Sequence, residues 1–317
     1  MRRFDGYKRI FTLTLNPAVD ASCSTRRVRP LHKVRTTNER FDAGGGGINV
    51  ARVINELGGR SFAVFLAGGT PGDVLEDLVH RAGVLHHRIA TSEPTRVSHV
   101  VYETDTGQEF RFTPEGPTIT EDEWHEALAF LELLDIDFLV ASGSLPRGVP
   151  DDVYARLSHD VKARGGRLVL DTSGPALAAA LEEGVFLAKP SRGEFATLVG
   201  RDLDDEQDLE EAAREIVASG RVEMLAITLG HDGALLATEK GGVRWLRPPE
   251  VEVKSAVGAG DSFVGGVVHG LSTGESVERA FALGVAAGTA SVMSSGTELC
   301  RKADVLEFWE QLCRDQS

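Results

Sequence analysis

The sequence predicts an α/β protein, a parallel sheet covered by helices with a small, separate β-sheet flap. Three observations carry this. From residue 121 onward, helix-patterned segments alternate with short β-rich apolar runs, which is the βα rhythm of a parallel sheet. Residues 21–43 and 96–113 break that rhythm, being polar and weakly alternating, and fit short strands of a flap. Two glycine-rich turns, Gly44–Gly47 and Gly258–Gly260, each open directly into a helix-like run.

Arg9 to Leu15 (RIFTLTL) alternates and reads as the first strand. It ends in Asn16-Pro17-Ala18-Val19-Asp20. Proline stops the ladder, and Asp20 then falls just past a strand's C-terminal end, where open α/β sheets bind ligands. Taken alone, Asp20 is more simply a turn residue. In the 21–43 flap, Lys33 and Arg35 are two apart and share a face if they lie on a strand; a solvated basic loop is the plainer alternative. Gly44–Gly47 precedes Val50, Val53, Ile54 and Leu57 at helical spacing, with Gly58 as the stop. Four successive glycines cost chain entropy, which favours a close backbone approach to a ligand over a purely structural loop. Asn49, in the first turn, is placed to bond a sugar hydroxyl. The run fails the G-x-G-x-x-G dinucleotide pattern at its last position, and no G-x-x-x-x-G-K-[ST] phosphate loop occurs anywhere.

Ser61 to Ala67 is a buried-type strand followed by a helix at about 72–82. Arg96 to Glu103 and Gln108 to Thr113 alternate around Thr104-Asp105-Thr106-Gly107, a hairpin that can join the flap in one sheet. Arg96 at its start is a candidate anion ligand. The regular region then predicts helices at 121–134, 151–164, 175–183 and 205–219. Between them lie strands ending at Ala141, Asp171, Lys189 and Leu229, so Asp171, Lys189 and Thr228 stand at binding ends. Helices at 262–271, 277–292 and 303–314 close the chain. There is no internal repeat, low-complexity segment or long linker, so 1–317 reads as one domain with lid segments at about 21–43 and 96–113.

The 258–261 turn is ambiguous by itself. A Gly-Ala-Gly start leaves several N–H groups pointing one way, a ready anion site. Asp261 would repel a resting phosphate, but suits a phosphoryl group in flight if its carboxylate takes the attacking hydroxyl's proton. An ordinary cap explains it equally well.

Bulk numbers narrow the classes. The 317 residues are 42% hydrophobic and 26% charged, as for a soluble protein with a sizeable core. A net charge of −14 argues against a general nucleic-acid binder, so an anionic ligand needs a local basic cluster. Cys23, Cys300 and Cys313 form no CxxC pair, which disfavours zinc or a disulfide framework and fits a reducing compartment. Met1 to Lys8 lacks a signal-peptide core and no apolar run reaches membrane length, so a cytoplasmic, non-membrane protein is expected. His99, His125 and His231 show no ligand spacing, and the three Met and three Trp read as core. What favours function is the combination of Asp20, Lys33, Arg35, the 44–47 glycines, Asn49, Arg96, Glu194 and the 258–261 turn. Two anion loops, a basic cluster and one acid suit phosphoryl transfer from a nucleotide to a sugar or sugar phosphate.

Gly44 to Arg52 (GGGGINVAR) and Val257 to Ser262 (VGAGDS) resemble the two signature motifs of the ribokinase-like (PfkB) carbohydrate kinases. Ala67-Gly-Gly, Ser142-Gly-Ser-Leu-Pro, Asp171-Thr-Ser-Gly, Lys189-Pro and Leu229-Gly-His-Asp-Gly-Ala follow in family order, so nearly the whole chain is covered. The resemblance implies a Rossmann-like α/β domain with a β-sheet lid that often clasps a second subunit, hence a homodimer. Within the family the chain most resembles the minor-type bacterial 6-phosphofructokinases, with glycine at 46 where 1-phosphofructokinases and tagatose-6-phosphate kinases usually carry lysine. It thus implies ATP-dependent phosphorylation of the 1-hydroxyl of fructose 6-phosphate; those two neighbouring kinases, and a non-catalytic sugar-phosphate sensor, are the alternatives.

Carried over by residue, Asp261 matches the base, and the turn Gly258, Ala259 and Gly260, with the Asp261 amide, the anion hole. Asp20, Gly45, Gly46 and Asn49 match groups on the sugar, and Lys33, Arg35, Arg96 and Ser144 groups on its phosphate. Lys189, Ser191, Thr228, Gly230 and Gly233 match the nucleotide side. Glu194 matches an acid that organises Mg2+ through water, and a monovalent cation is a further cofactor of the family. Ser191 departs from the asparagine usual in that N-x-x-E element, which bears on Mg·ATP affinity.

Overall fold

A computed structural model describes residues 8–294 and 298–314. The first described strand, β1 (Ile10–Thr14), lies inside a large sheet. Its alternation is a two-sided burial pattern. Phe11, Leu13 and Leu15 join the apolar cluster on one face, and Ile10 the cluster on the other, where Thr12 and Thr14 are also fully buried. On one side of β1 stand β4 (Ser61–Ala67) and β5 (Leu85–Ala90). On the other stand β8 (Phe138–Ser142), β9 (Arg167–Asp171), β10 (Val185–Ala188) and β11 (Val222–Thr228), all parallel to their neighbours. The expected all-parallel sheet is corrected at its far edge. There β12 (Ala234–Thr238) and β13 (Gly242–Leu246) pair antiparallel, because Gly230–Gly233 turns the chain straight back instead of feeding a crossover helix. Among the described residues the sheet has nine strands in the order β13-β12-β11-β10-β9-β8-β1-β4-β5.

Among the described residues the flap is a four-stranded sheet, β3-β2-β6-β7. Its strands are β2 (Ala18–Thr25), β3 (Thr37–Gly44), β6 (Arg96–Glu103) and β7 (Gln108–Phe112). Two expectations change here. Asp20 does not sit in a loop past β1: Pro17 ends the first ladder and the chain enters the second sheet at Ala18, with Asp20 opposite Asp42 and Ser98. Lys33 and Arg35 do not share a strand face either, since residues 26–36 form no strand and both side chains are exposed.

Helices cover both faces of the large sheet. On one lie α3 (Glu121–Glu132), α4 (Val153–Ala163), α5 (Gly174–Glu183) and α7 (Glu206–Ala218). On the other lie α1 (Gly46–Glu56), α8 (Ala259–Ser272), α9 (Val277–Val292) and α10 (Lys302–Arg314). The helix α2 (Gly69–Arg81) packs beneath the small sheet, and the short α6 (Arg192–Val199) follows β10. Small residues bring α8 close to its neighbours. A Cβ on Gly266 would lie 2.6 Å from the Leu283 carbonyl oxygen, and one on Gly265 would lie 2.6 Å from a Val53 methyl. No helix among the described residues is long and apolar enough to cross a membrane, and Cys23, Cys300 and Cys313 form no disulfide.

Candidate active site

The N-terminus of α8 sits over the C-terminal ends of the central strands. Gly258 precedes the helix with φ of 73°, a conformation a glycine takes without strain, and it caps no amide with a side chain. The Ser262 amide makes the first helical bond, to the Gly258 carbonyl at 2.8 Å. The amides of Gly260 and Asp261 thus precede the ladder, and that of Ala259 has only a long 3.5 Å contact to the Ala256 carbonyl. Asp261 is the third residue of α8 and does not cap it. Its Oδ2 instead accepts from Asn49 Nδ2 at 2.9 Å, a contact spanning 212 residues of sequence. The cap reading of Asp261 is therefore set aside.

Around that carboxylate the strand ends converge. Asp171 closes β9, and its two oxygens meet Lys189 Nζ at 3.0 Å and Ser142 Oγ at 3.3 Å. Lys189 is 6% exposed, and a Cβ on Gly260 would lie 3.2 Å from its ammonium, so the anion turn rests on the lysine. Gly46, on the other loop, has no room for a side chain: a Cβ there would overlap Ser142 Oγ and stand 3.0 Å from Asp261 Oδ1. Gly44 is pressed in the same way against the Asp20 carboxylate. Gly45 has φ of 114° and lies under Thr14 and Pro17, while the Ile48 amide donates to Thr14 Oγ1 at 3.1 Å and pins the start of α1.

Charge follows geometry. Burial pushes Asp261 up to about 6; Asp171 adds to the rise, while the Asn49 amide, Lys189 and the Ser142 hydroxyl oppose it. Asp20 is likewise pushed up to about 6 by burial, with Arg96 and Arg52 pulling down and Asp42 and Asp261 pushing further. Burial works against the charge of Lys189, yet Asp171, aided by Glu194 and Asp261, holds it above the usual lysine range. Two carboxylates are thus raised to about 6, and one of them, Asp261, stands at an open helix start with a fixed ammonium acting on it. That set can take a proton from a hydroxyl and neutralise a developing anion.

Other expected residues are placed differently. Arg96 is half-buried, and its guanidinium donates to the carbonyls of Asn16 (2.7 Å), Pro114 (2.9 Å) and Pro17 (3.4 Å), so it also ties the link between the two sheets. Ser144 Oγ accepts from Asn16 Nδ2 at 3.3 Å. Ser191 bridges to Thr228 across the ends of β10 and β11, forming one rim. Gly230, with φ of 64°, begins the turn beyond it, whereas Gly233 is required by packing, since a Cβ there would overlap the Leu246 carbonyl. Ser191 is the N-cap of α6: its hydroxyl accepts from the Glu194 amide at 3.4 Å, and Glu194 Oε2 accepts from the Ser191 amide at 2.7 Å. Among the described residues no group of three or more His, Cys, Asp or Glu side chains could cage a metal.

Residues 14–304 match the pfkB family carbohydrate kinases. The chain belongs to this family. A Mycobacterium tuberculosis relative, ATP-dependent 6-phosphofructokinase isozyme 2, is 42% identical over 308 residues, covering 96% of this chain and 90% of that protein. A crystal structure of the phosphofructokinase-2 from Escherichia coli in complex with potassium superposes with a TM-score of 0.93 at 38% identity, covering 97% of this chain and 100% of that one. The complex of the same-named protein with fructose-6-phosphate gives 0.92 at 36%, with the same coverage.

Several residues of this pfkB-family site were not among the sequence candidates. Asp171 stood at a binding end of a strand with no role given, Ser142 was a turn residue, and Arg52 part of a motif. Arg52 Nη1 donates to Asn49 Oδ1 at 3.1 Å and to the Ala43 carbonyl at 3.0 Å. Its place three residues after Asn49, on the same helix face, was the available signal.

Proposed function

We propose that the chain phosphorylates the 1-hydroxyl of fructose 6-phosphate with ATP, giving fructose 1,6-bisphosphate, and that Asp261 is the general base. The observation that carries the reading is the third residue of α8. Its carboxylate is raised to about 6 and aimed away from its own helix, beside amides that precede the helical ladder. The names of the relatives support the substrate, and so does Gly46, where the Cβ of a lysine would require Ser142 to move.

The hydroxyl oxygen attacks the γ-phosphorus as Asp261 accepts its proton. A carboxylate with a pKa near 6 is a stronger base than an ordinary aspartate, although positioning still supplies most of the rate. The α8 amides and Lys189 offset charge on the transferred group. Asp20 and Asn49 hold sugar hydroxyls. Lys33, Arg35, Arg96 and Ser144 serve its phosphate, Arg96 by exchanging carbonyl partners. Ser191, Thr228 and Gly230 flank the nucleotide, with Gly233 shaping the turn.

Glu194 fits a magnesium ion that the nucleotide carries, because such an ion keeps several waters and needs only one or two carboxylates. One Glu194 oxygen is committed to the α6 cap, leaving Oε1 to face the ion's water shell. When bound, the ion supplies charge neutralisation on the phosphates. A monovalent cation as a further cofactor is supported by the potassium complex of the Escherichia coli relative.

The small sheet supports a homodimer. Phe41, Ala21, His99 and Phe112 form one cross-strand row, and both phenylalanines are 55% exposed. An acidic chain whose three cysteines form no disulfide fits the cytoplasm.

A coupled assay with ATP and fructose 6-phosphate, tagatose 6-phosphate or fructose 1-phosphate tests the substrate. The highest kcat/KM is expected with fructose 6-phosphate. Preference for either other sugar would overturn that choice, and phosphorylation of none would favour the non-catalytic sensor.

A further inference from the structure

The contact between Asn49 and Asp261 has a second half. An asparagine side chain presents an oxygen and an NH2 that are nearly alike in shape, and only its neighbours decide which faces which. Here one neighbour is Arg52, whose guanidinium can only donate. The other is Asp261, whose ionised carboxylate can only accept. Arg52 Nη1 lies 3.1 Å from Asn49 Oδ1, and Asn49 Nδ2 lies 2.9 Å from Asp261 Oδ2. With a pure donor on one side and a pure acceptor on the other, the amide has one orientation that makes both bonds. Arg52 is itself fixed, because the same Nη1 donates to the Ala43 carbonyl at the end of β3.

We propose that Arg52 is a positioning residue for the kinase reaction: by locking the Asn49 amide it occupies Asp261 Oδ2 and leaves Oδ1 to receive the substrate's proton. This rests on the reading of Asp261 as the base. In the step, the hydroxyl O–H bond breaks and an Oδ1–H bond forms, while the oxygen's electron pair goes to the γ-phosphorus. The Asn49–Oδ2 bond persists throughout, because Oδ2 stays an acceptor. Oδ1 is the oxygen on the Gly46 side, which lacks a side chain there. Without Arg52 the amide is free to turn. Its oxygen facing Oδ2 would repel the carboxylate and favour the protonated acid, the form that cannot act as base.

Other groups facing Asp261 must be kept in view. Asp171 raises its proton affinity, while Lys189 and the Ser142 hydroxyl lower it. Asp20, on the small sheet, faces both Asp261 and Arg52. Loss of Arg52 therefore also removes a positive charge, and the test must separate charge from orientation.

A double-mutant cycle on the full-length enzyme does so, with kcat, both KM values and the pH profile measured for Arg52→Met, Arg52→Lys, Asn49→Ala and Asn49→Ala/Arg52→Met. Arg52→Met is expected to lower kcat by roughly ten- to a hundredfold and to move the acid limb of kcat/KM upward. In the Asn49→Ala background the same change should cost less than about threefold, because the residue acts through the amide. Arg52→Lys, which keeps the charge and one donor, should recover part of kcat. Additive losses, or an acid limb that stays in place in Arg52→Met, would overturn the proposal. Should Arg52→Met fail to fold, Arg52→Leu, which likewise has no donor, takes its place in the cycle under the same criteria. Asp261→Asn is assayed in parallel: if it is inactive while the cycle is additive, only the role of Arg52 fails, and if it turns over normally, the base itself is wrong.

Discussion

Asp261 has to be ionised to act, and burial with Asp171 nearby delays that until about pH 6. The kcat/KM profile should therefore fall below roughly pH 6, two units above where an ordinary aspartate would place it. Asp20, also raised to about 6, steepens the same limb if both must be charged. A profile flat down to pH 4.5 would contradict this. The stability consequence has the opposite sign from the usual carboxylate. A folded pKa above the unfolded value means the native state holds a proton that the unfolded chain releases between about pH 4 and 6. Stability from this group is full below pH 4 and is lost as pH rises through 6. Asp261→Asn should then melt higher than the parent at pH 8, by roughly 2–4 °C, and match it at pH 4. Equal melting at both pH values would show that the carboxylate is not strained by its site. At this scale the sequence located the acid and its glycines, but not its partners. The bond to Asn49 crosses 212 residues, Asp171 was placed at a binding end without a partner, and no periodicity reports such a meeting. Lys33 and Arg35 were misplaced because two-residue spacing specifies a shared face only when a strand is present.

Among the elements, α8 matters most, and its position is set by close helix contacts. A Cβ added to Gly266 would lie 2.9 Å from the Gly284 Cα of α9 as well as against the Leu283 carbonyl, leaving no space for a methyl group. Gly266→Ala should cost about 1–3 kcal/mol and, by shifting the start of α8, lower kcat as well. A thermal melt and a turnover assay of that variant check both effects. Ser191 tests a gentler change. Serine and asparagine are comparable N-caps, so Ser191→Asn should leave Tm within about 1 °C while lowering the KM for Mg·ATP. A KM that rises would show that the serine suits this α6. The strong βα units were legible because each carries its own apolar period. Eight-residue α6 and the half-exposed β5, with His86, His87 and Arg88 in its middle, carry too weak a pattern to read. The antiparallel edge went unseen because β12 (ALLAT) reads as one more buried apolar strand, and only the tightness of the Gly230–Gly233 turn sets its direction.

For the whole molecule, the small sheet offers one face to the site and the other to solvent. Asp20 lies on the first, and the Phe41–Ala21–His99–Phe112 row on the second. A second copy on that row would make the lid part of the assembly. Phe41→Glu should then shift sedimentation from dimer toward monomer and weaken sugar-phosphate binding; a monomeric parent protein would refute the clasp. The two-layered plan of a large sheet and a separate flap was readable because the flap breaks the βα rhythm. Its strand order, with β2 parallel to β6, was not, since that pairing joins segments about 80 residues apart.

The central claim is that Asp261 removes the proton from the hydroxyl that attacks ATP. Single-turnover phosphorylation of fructose 6-phosphate by Asp261→Asn, with the affinities for both substrates measured on the same preparation, tests it most directly. The account predicts affinities within a few-fold of the parent and a chemical step slower by roughly a thousandfold or more. A chemical step within tenfold of the parent would contradict it.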